Sequence, residues 1–104
     1  TNVSKIGNEI PSYFKLYQNY PNPFNPRTKI KYQITSNVKS ETSNVKLVVN
    51  NIQGKEITTL VSEAQGAGTY EVDFDGSTYS SGVYFYSLVV EGKIIDTKKM
   101  VLVK

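Results

Sequence analysis

The 104-residue sequence contains no cysteine and no histidine. The first absence excludes a disulfide staple and leaves the compartment open, since many secreted domains manage without one. Together the two absences remove thiol nucleophiles, Cys/His zinc sites, histidine general bases and most switching near neutral pH. Long apolar runs are also missing, far short of the roughly 20 residues a membrane-spanning helix needs. There is one arginine, Arg27, and the basic groups do not interleave with an aromatic platform, which argues against a nucleic-acid surface. No signal peptide is visible, and the chain starts at Thr1 without methionine, so it is expected to be an excised piece of a longer protein.

What is present suffices for one folded domain. Hydrophobic residues make up 38%, aromatics 12% and charged residues 20%, which supports a core and argues against global disorder. The net charge of +3 is unevenly spread, with both ends of the chain basic and residues 40–92 acidic. Solvated strand faces with cross-strand charge pairs are the simplest account.

Apolar residues recur with a period of two. In "TKIKYQI" Ile30, Tyr32 and Ile34 face one way and Lys29, Lys31 and Gln33 the other, and "VKLVV" repeats the pattern with Val45, Leu47 and Val49. "TYEVDF" aligns Tyr70, Val72 and Phe74, while "VYFYSLVV" is apolar on both faces, as expected of a central strand. "TSNVKSETSN" (35–44), "EAQGAG" (63–68) and "DGSTYSSG" (75–82) read as loops or corners, and Glu91-Gly92 as a tight hairpin with Gly92 at positive φ. With an opening strand near Tyr13–Tyr17, about seven strands and no helix are expected, packed as an all-β, immunoglobulin-like antiparallel β-sandwich. Residues 1–12 read as a linker tail from a preceding cargo domain, and 13–104 as the domain itself.

No catalytic arrangement emerges. "DFDG" (73–76) lacks the remaining spacing of a calcium loop, the glycines open no helix that would cradle phosphate, and Ser80 and Ser81 have no base to activate them. Exposed members of the set Tyr17, Tyr20, Tyr79 and Phe85 offer a sugar platform, although core and edge packing account for most of them first. "QNYPNPFNP" (18–26) is the most unusual stretch, with three prolines and three asparagines in nine positions. Proline excludes it from a helix or central strand and makes its neighbours extended. From local rules it is a stiff, PPII-like cover over a strand edge, with Phe24 tucked into the sandwich rim.

The order of four segments resembles the type A C-terminal sorting domain of the type IX secretion system: "LYQNYPNPFNPRTKIKYQI", "VKLVVNNIQGKEITTLV", "GAGTYEVDFDG" and "SSGVYFYSLVVEGKIIDTKKMVLVK". The resemblance implies a non-catalytic signal at the end of a larger exported protein, without cofactor or metal. Its partners would be the outer-membrane translocon and a surface sortase of a Gram-negative bacterium, and its destination the cell surface or the medium. The sorting-motif positions it implies are Pro21, Asn22 and Pro23, then Gly82 and Tyr84, then Lys98, Lys99 and Lys104, with the cleavage region in or before residues 1–12. Asn50, Gln53 and Tyr79 depart from the family's usual apolar residues. The immunoglobulin-like domain of flagellar hook-capping proteins, a structural or carbohydrate-binding accessory module, shares the hairpin and Gly-x-Tyr features and is the alternative. If the last strand lies at a sheet edge, a translocon component could pair with its backbone while the lysines steer it toward an acidic surface.

Overall fold

The computed structural model describes residues 3–7, 9–37 and 39–104. The strands are β1 (Val3–Gly7), β2 (Lys15–Leu16), β3 (Arg27–Ile34), β4 (Thr42–Asn50), β5 (Glu56–Gly66), β6 (Gly68–Asp75), β7 (Gly82–Val90) and β8 (Lys93–Leu102). They form two four-stranded antiparallel sheets, β1-β6-β3-β2 (sheet I) and β5-β4-β7-β8 (sheet II), packed as the expected sandwich. No helix among the described residues is long and apolar enough to cross a membrane.

The two-residue alternation builds the core directly. Ile30, Tyr32 and Ile34 of β3 and Tyr70, Val72 and Phe74 of β6 meet Val45, Leu47 and Val49 of β4 and Tyr84, Tyr86 and Leu88 of β7. Each fully buried aliphatic or Phe side chain stabilises the fold by about 1.5–3 kcal/mol relative to exposure. The buried phenols all have partners. Tyr32 Oη donates to Gln65 Oε1 at 2.8 Å, and Tyr70 Oη to the Gly66 carbonyl at 2.7 Å. Burial pushes both phenols above the ordinary tyrosine range.

The register of β3 with β6 places Arg27 opposite Asp75, Lys29 opposite Asp73 and Lys31 opposite Glu71. Lys29 Nζ lies 3.3 Å from Asp73 and 3.4 Å from Glu71, and Arg27 Nε 3.7 Å from Asp75. The opposed charge of the basic N-terminal third and the acidic middle is here a cross-strand ladder, as expected. The Glu91-Gly92 hairpin also follows expectation: φ is 50° at Glu91 and 79° at Gly92, the pair of positive values a type I′ turn requires.

Four boundaries differ from the sequence expectation. The described residues form eight strands where about seven were expected, because part of the expected tail, Val3–Gly7, pairs with the free edge of β6. Ser4, Lys5 and Ile6 are exposed, so backbone bonds hold this strand and no alternation of side chains announces it. Thr1, Asn2 and Asn8 of the expected tail lie outside the described residues. The opening strand shrinks to Lys15–Leu16. The polar loop after β3 ends early, since β4 begins at Thr42. "EAQGAG" is mostly strand, with only Ala67 left between β5 and β6; ladder pairing with β4 carries the polar run Ser62–Gln65.

Candidate functional site

"QNYPNPFNP" follows β2, and three features hold its inner side against the sandwich. Asn19, only 2% exposed, is the first. Its amide donates to the Pro21 carbonyl (3.1 Å) and Thr28 Oγ1 (3.0 Å), and Thr28 Oγ1 donates in turn to the Pro21 carbonyl (2.9 Å). Tyr86 is the second: its hydroxyl accepts from the Asn19 backbone N–H and donates to the Tyr17 carbonyl, both at 2.7 Å. A buried phenol between a backbone donor and a backbone acceptor is well satisfied, and its burial raises its pKa. Phe24 is the third, 1% exposed, with its ring 5.8 Å from Phe74 in an edge-on arrangement. The segment is a chain of bends with isolated bridges at Tyr20 and Phe24, not one straight PPII run; its three Xaa–Pro bonds are cis.

Its outer partner is the C-terminal half of β8. The Phe24 N–H donates to the Val101 carbonyl, and the Val103 N–H to the Phe24 carbonyl, both at 2.9 Å. The Val101 N–H donates to Asn22 Oδ1 (3.0 Å), and Gln18 Nε2 to the Lys99 carbonyl (2.6 Å). The edge groups of β8 from Lys99 to Val103 are thereby occupied, and the expected role as edge cover is met. On its other side β8 pairs with β7, Gly82 opposite Leu102 and Tyr84 opposite Met100. Three segments far apart in sequence thus form one ribbon: 22–24, then 99–103, then 82–86.

The implied sorting positions take distinct places in it. Pro21, Asn22 and Pro23 are exposed, and only Asn22 bonds β8 through its side chain. Gly82 has φ 152°, a conformation L side chains rarely adopt, with open space where a side chain would stand. Tyr84 is buried and donates to the Ser80 carbonyl at 2.6 Å, which fixes the 75–82 corner. Lys98 pairs with Asp96 at 3.6 Å, and Lys99 is exposed. Lys104 is tied down, its Nζ donating to the Ser77 carbonyl (2.7 Å) and its backbone N–H to Ser81 Oγ (3.1 Å). The peptide segments converge; the three ammonium groups do not form a cluster. Nearby, Asp75 is held below the usual carboxylate range, chiefly by the Ser77 backbone N–H and hydroxyl, then by Arg27 and Lys104.

Gln18, Asn19, Thr28 and Tyr86 carry the ribbon without being conspicuous in the sequence. One signal existed: Thr28 shares the inward face with Ile30, Tyr32 and Ile34, and an inward hydroxyl needs a partner. The departures at Asn50 and Tyr79 also find uses. Asn50 Nδ2 donates to the Gly54 carbonyl at 2.9 Å, closing the β4–β5 turn, and Tyr79 stacks on Phe74 with ring centroids 5.9 Å apart. Beside the ribbon lies an open cleft of about 990 Å³ lined by Tyr20, Pro21, Thr28, Leu60, Phe74 and Tyr79. The charged side chains at its margin, Arg27 with Asp75 and Lys29 with Asp73, pair with one another across the strands.

Residues 18–104 match the sequence model of a family described as "Secretion system C-terminal sorting domain". The match begins at Gln18, the first residue to bond β8 from the proline segment. No curated protein matches. Four chains of solved structures do. One is the alkylpurine DNA glycosylase AlkC of Pseudomonas fluorescens, bound to DNA containing an abasic site analogue. It aligns with TM-score 0.55 and 14% identity over 88% of this chain and 30% of its own length. At that identity the likeness is one of fold alone, and this chain spans less than a third of that protein.

Proposed function

We propose that this chain, which belongs to the family of secretion system C-terminal sorting domains, delivers the protein that carries it through the type IX outer-membrane translocon for attachment to, or release from, the cell surface. That it is a sorting domain follows from the family; the final destination, the partners and the residues they touch are the proposal. The observation that carries it is the ribbon. The Pro-Asn-Pro segment and the Gly-x-Tyr segment are separate in sequence, yet each hydrogen-bonds the terminal strand from its own side, so a receptor meets the three as one surface only on a folded domain. In this reading Pro21, Asn22, Pro23, Gly82, Tyr84, Lys98, Lys99 and Lys104 compose a signal and perform no catalysis. Gly82 and Tyr84 shape it from within, and Asn22 and Lys99 face the partner. A sortase acts in or before residues 1–12, upstream of the matched region.

The test fuses residues 1–104 to a reporter carried into the periplasm of a host that possesses the type IX system. Surface delivery that is lost when residues 98–104 are removed supports sorting. Periplasmic retention of the intact fusion would sink it. The accessory-module alternative makes a different forecast, measurable affinity of the isolated domain for cell-surface polysaccharide.

A further inference from the structure

The outward face of sheet II carries side chains that the core does not use, and it overlaps the ribbon at Val83, Phe85, Lys99 and Val101. The apolar character of "VYFYSLVV" on both sides predicts a strand covered on both sides. Only one side enters the core, through Tyr84, Tyr86, Leu88 and Val90, whereas Val83, Phe85 and Val89 are half-buried on a face with no further layer among the described residues. The register extends this face sideways. Val83 lies beside Val101, Val89 beside Ile94, and the Ser87 row continues into Val48. Ile94 is 69% exposed. Ser87 and Thr97 hydroxyls bond each other at 2.8 Å and make no demand on a partner.

Three lysines sit among these groups: Lys99 opposite Phe85, Lys46 opposite Val89, and Lys93 at the hairpin. None forms an ion pair among the described residues, in contrast to the paired cations Arg27 and Lys29 of sheet I. The three strands β4, β7 and β8, at about 4.8 Å spacing and about 3.3 Å per residue, give a patch of roughly 300 Å². That is well below the roughly 800 Å² per partner of a stable interface, and it suits a transient contact better than a permanent homodimer.

We infer that the outer face of sheet II, centred on Phe85 and Val89 and flanked by Lys46 and Lys99, docks transiently on an export-machinery protein presenting a flat apolar surface edged by carboxylates. This rests on the sorting reading above and names the surface through which a partner takes hold. The face is continuous with the ribbon through Val83, Lys99 and Val101, so one partner can grip both.

The test uses the same periplasmic reporter fusion with three substituted pairs. Phe85→Glu with Val89→Glu places carboxylates in the apolar centre. Lys46→Glu with Lys99→Glu reverses exposed rim charges and leaves all apolar packing in place. Lys29→Gln with Glu71→Gln alters the opposite face as a control. Both sheet II pairs are expected to cut surface delivery by about tenfold or more, the loss that follows from about 1.4 kcal/mol at a docking centre. The control is expected to deliver like the parent, and thermal melts of the purified chains establish folding. Should the glutamate pair in the centre fail to fold, the lysine reversal decides. Normal delivery by folded sheet II variants overturns the docking surface while sorting stands. Retention of the unsubstituted fusion overturns sorting, and this inference with it. A stable dimer of the purified chain that Phe85→Glu dissociates would identify a second copy as the occupant and overturn the proposed partner.

Discussion

The outward faces of the two sheets are built on the same alternation and end in opposite chemistry. On sheet I, Arg27 and Lys29 of β3 pair with Asp75, Asp73 and Glu71 of β6, while Lys31 Nζ lies over the Tyr17 ring at 4.6 Å, so the ladder's cations find partners within the domain. On sheet II, Val48, Val83, Phe85, Val89 and Val101 lie half-buried among Lys46, Lys93 and Lys99, which form no ion pair among the described residues. Sheet I is a finished surface that water covers. Sheet II is written like an interior on a side where, among the described residues, no further layer packs. Self-neutralised charge gives solubility, whereas an apolar face with unpaired cations gives adhesion that a partner must complete.

The contrast can be broken most severely at the rim where the sheets are joined. Phe24 meets Phe74 of sheet I and the backbone of Val101 and Val103 of sheet II. Phe24→Ala is expected to cost about 3–5 kcal/mol in urea denaturation, the range for emptying a buried aromatic site. Hydrogen exchange should show the damage unequally, with the Val101 and Val103 amides losing protection before Lys29 to Lys31 of sheet I. Equal loss in both sheets would mean that the segment is not a selective cover.

Next in size is a comparison of one buried phenol from each sheet. Tyr86→Phe leaves the Asn19 N–H and the Tyr17 carbonyl without their partner, an expected cost of about 1–3 kcal/mol. Tyr32→Phe leaves only Gln65 Oε1 and should cost less under the same denaturation assay. The reverse order would place the polar anchor in sheet I.

Titration separates the sheets more gently. Burial raises Tyr32 and Tyr70 in sheet I and Tyr86 in sheet II, and pairing with Asp73 and Glu71 raises Lys29. A raised folded-state pKa contributes stability that is complete below the unfolded value, 10.0 for tyrosine, and lost as pH climbs through the folded one. Melting temperature should therefore be nearly level from about pH 5 to 9 and fall above about pH 10. Asp75 has the opposite sign: its lowered pKa contributes above the unfolded value of 3.8 and is lost as pH falls further, so this part of the acid limb belongs to sheet I. Tyr86→Phe should soften the alkaline fall without touching the acid one.

The smallest effect is expected from the ladder itself. Lys29→Gln removes an exposed cation from two exposed or half-exposed carboxylates, and the change in melting temperature should stay within replicate error. Molar salt should act as weakly, since it screens the same pairs. A clear loss in either experiment would show that sheet I depends on its charges for stability as well as for solubility.

The fold class was legible because alternation is a local property. Ile30, Tyr32 and Ile34, or Val45, Leu47 and Val49, declare an inward face without knowledge of what they will meet. Strand β1 was not legible because its hold on β6 is made by backbone groups, which every sequence possesses. The same holds for "QNYPNPFNP": its stiffness and unsuitability for a central strand follow from proline chemistry alone, and Phe24 could be assigned to the rim as its only large apolar side chain near mid-segment. That Asn22 would cap the Val101 amide, that Asn19 would be buried beneath Tyr86 and Thr28, and that Lys104 would be tied to Ser77 depend on groups many residues apart. Sequence by itself determined the alternation, the turn at Gly92 and the excluded chemistries, because each depends on a residue and its near neighbours. Tertiary structure alone decided which edges are covered and which apolar face stays open, because hydrogen-bond partners and burial are properties of the assembled sandwich.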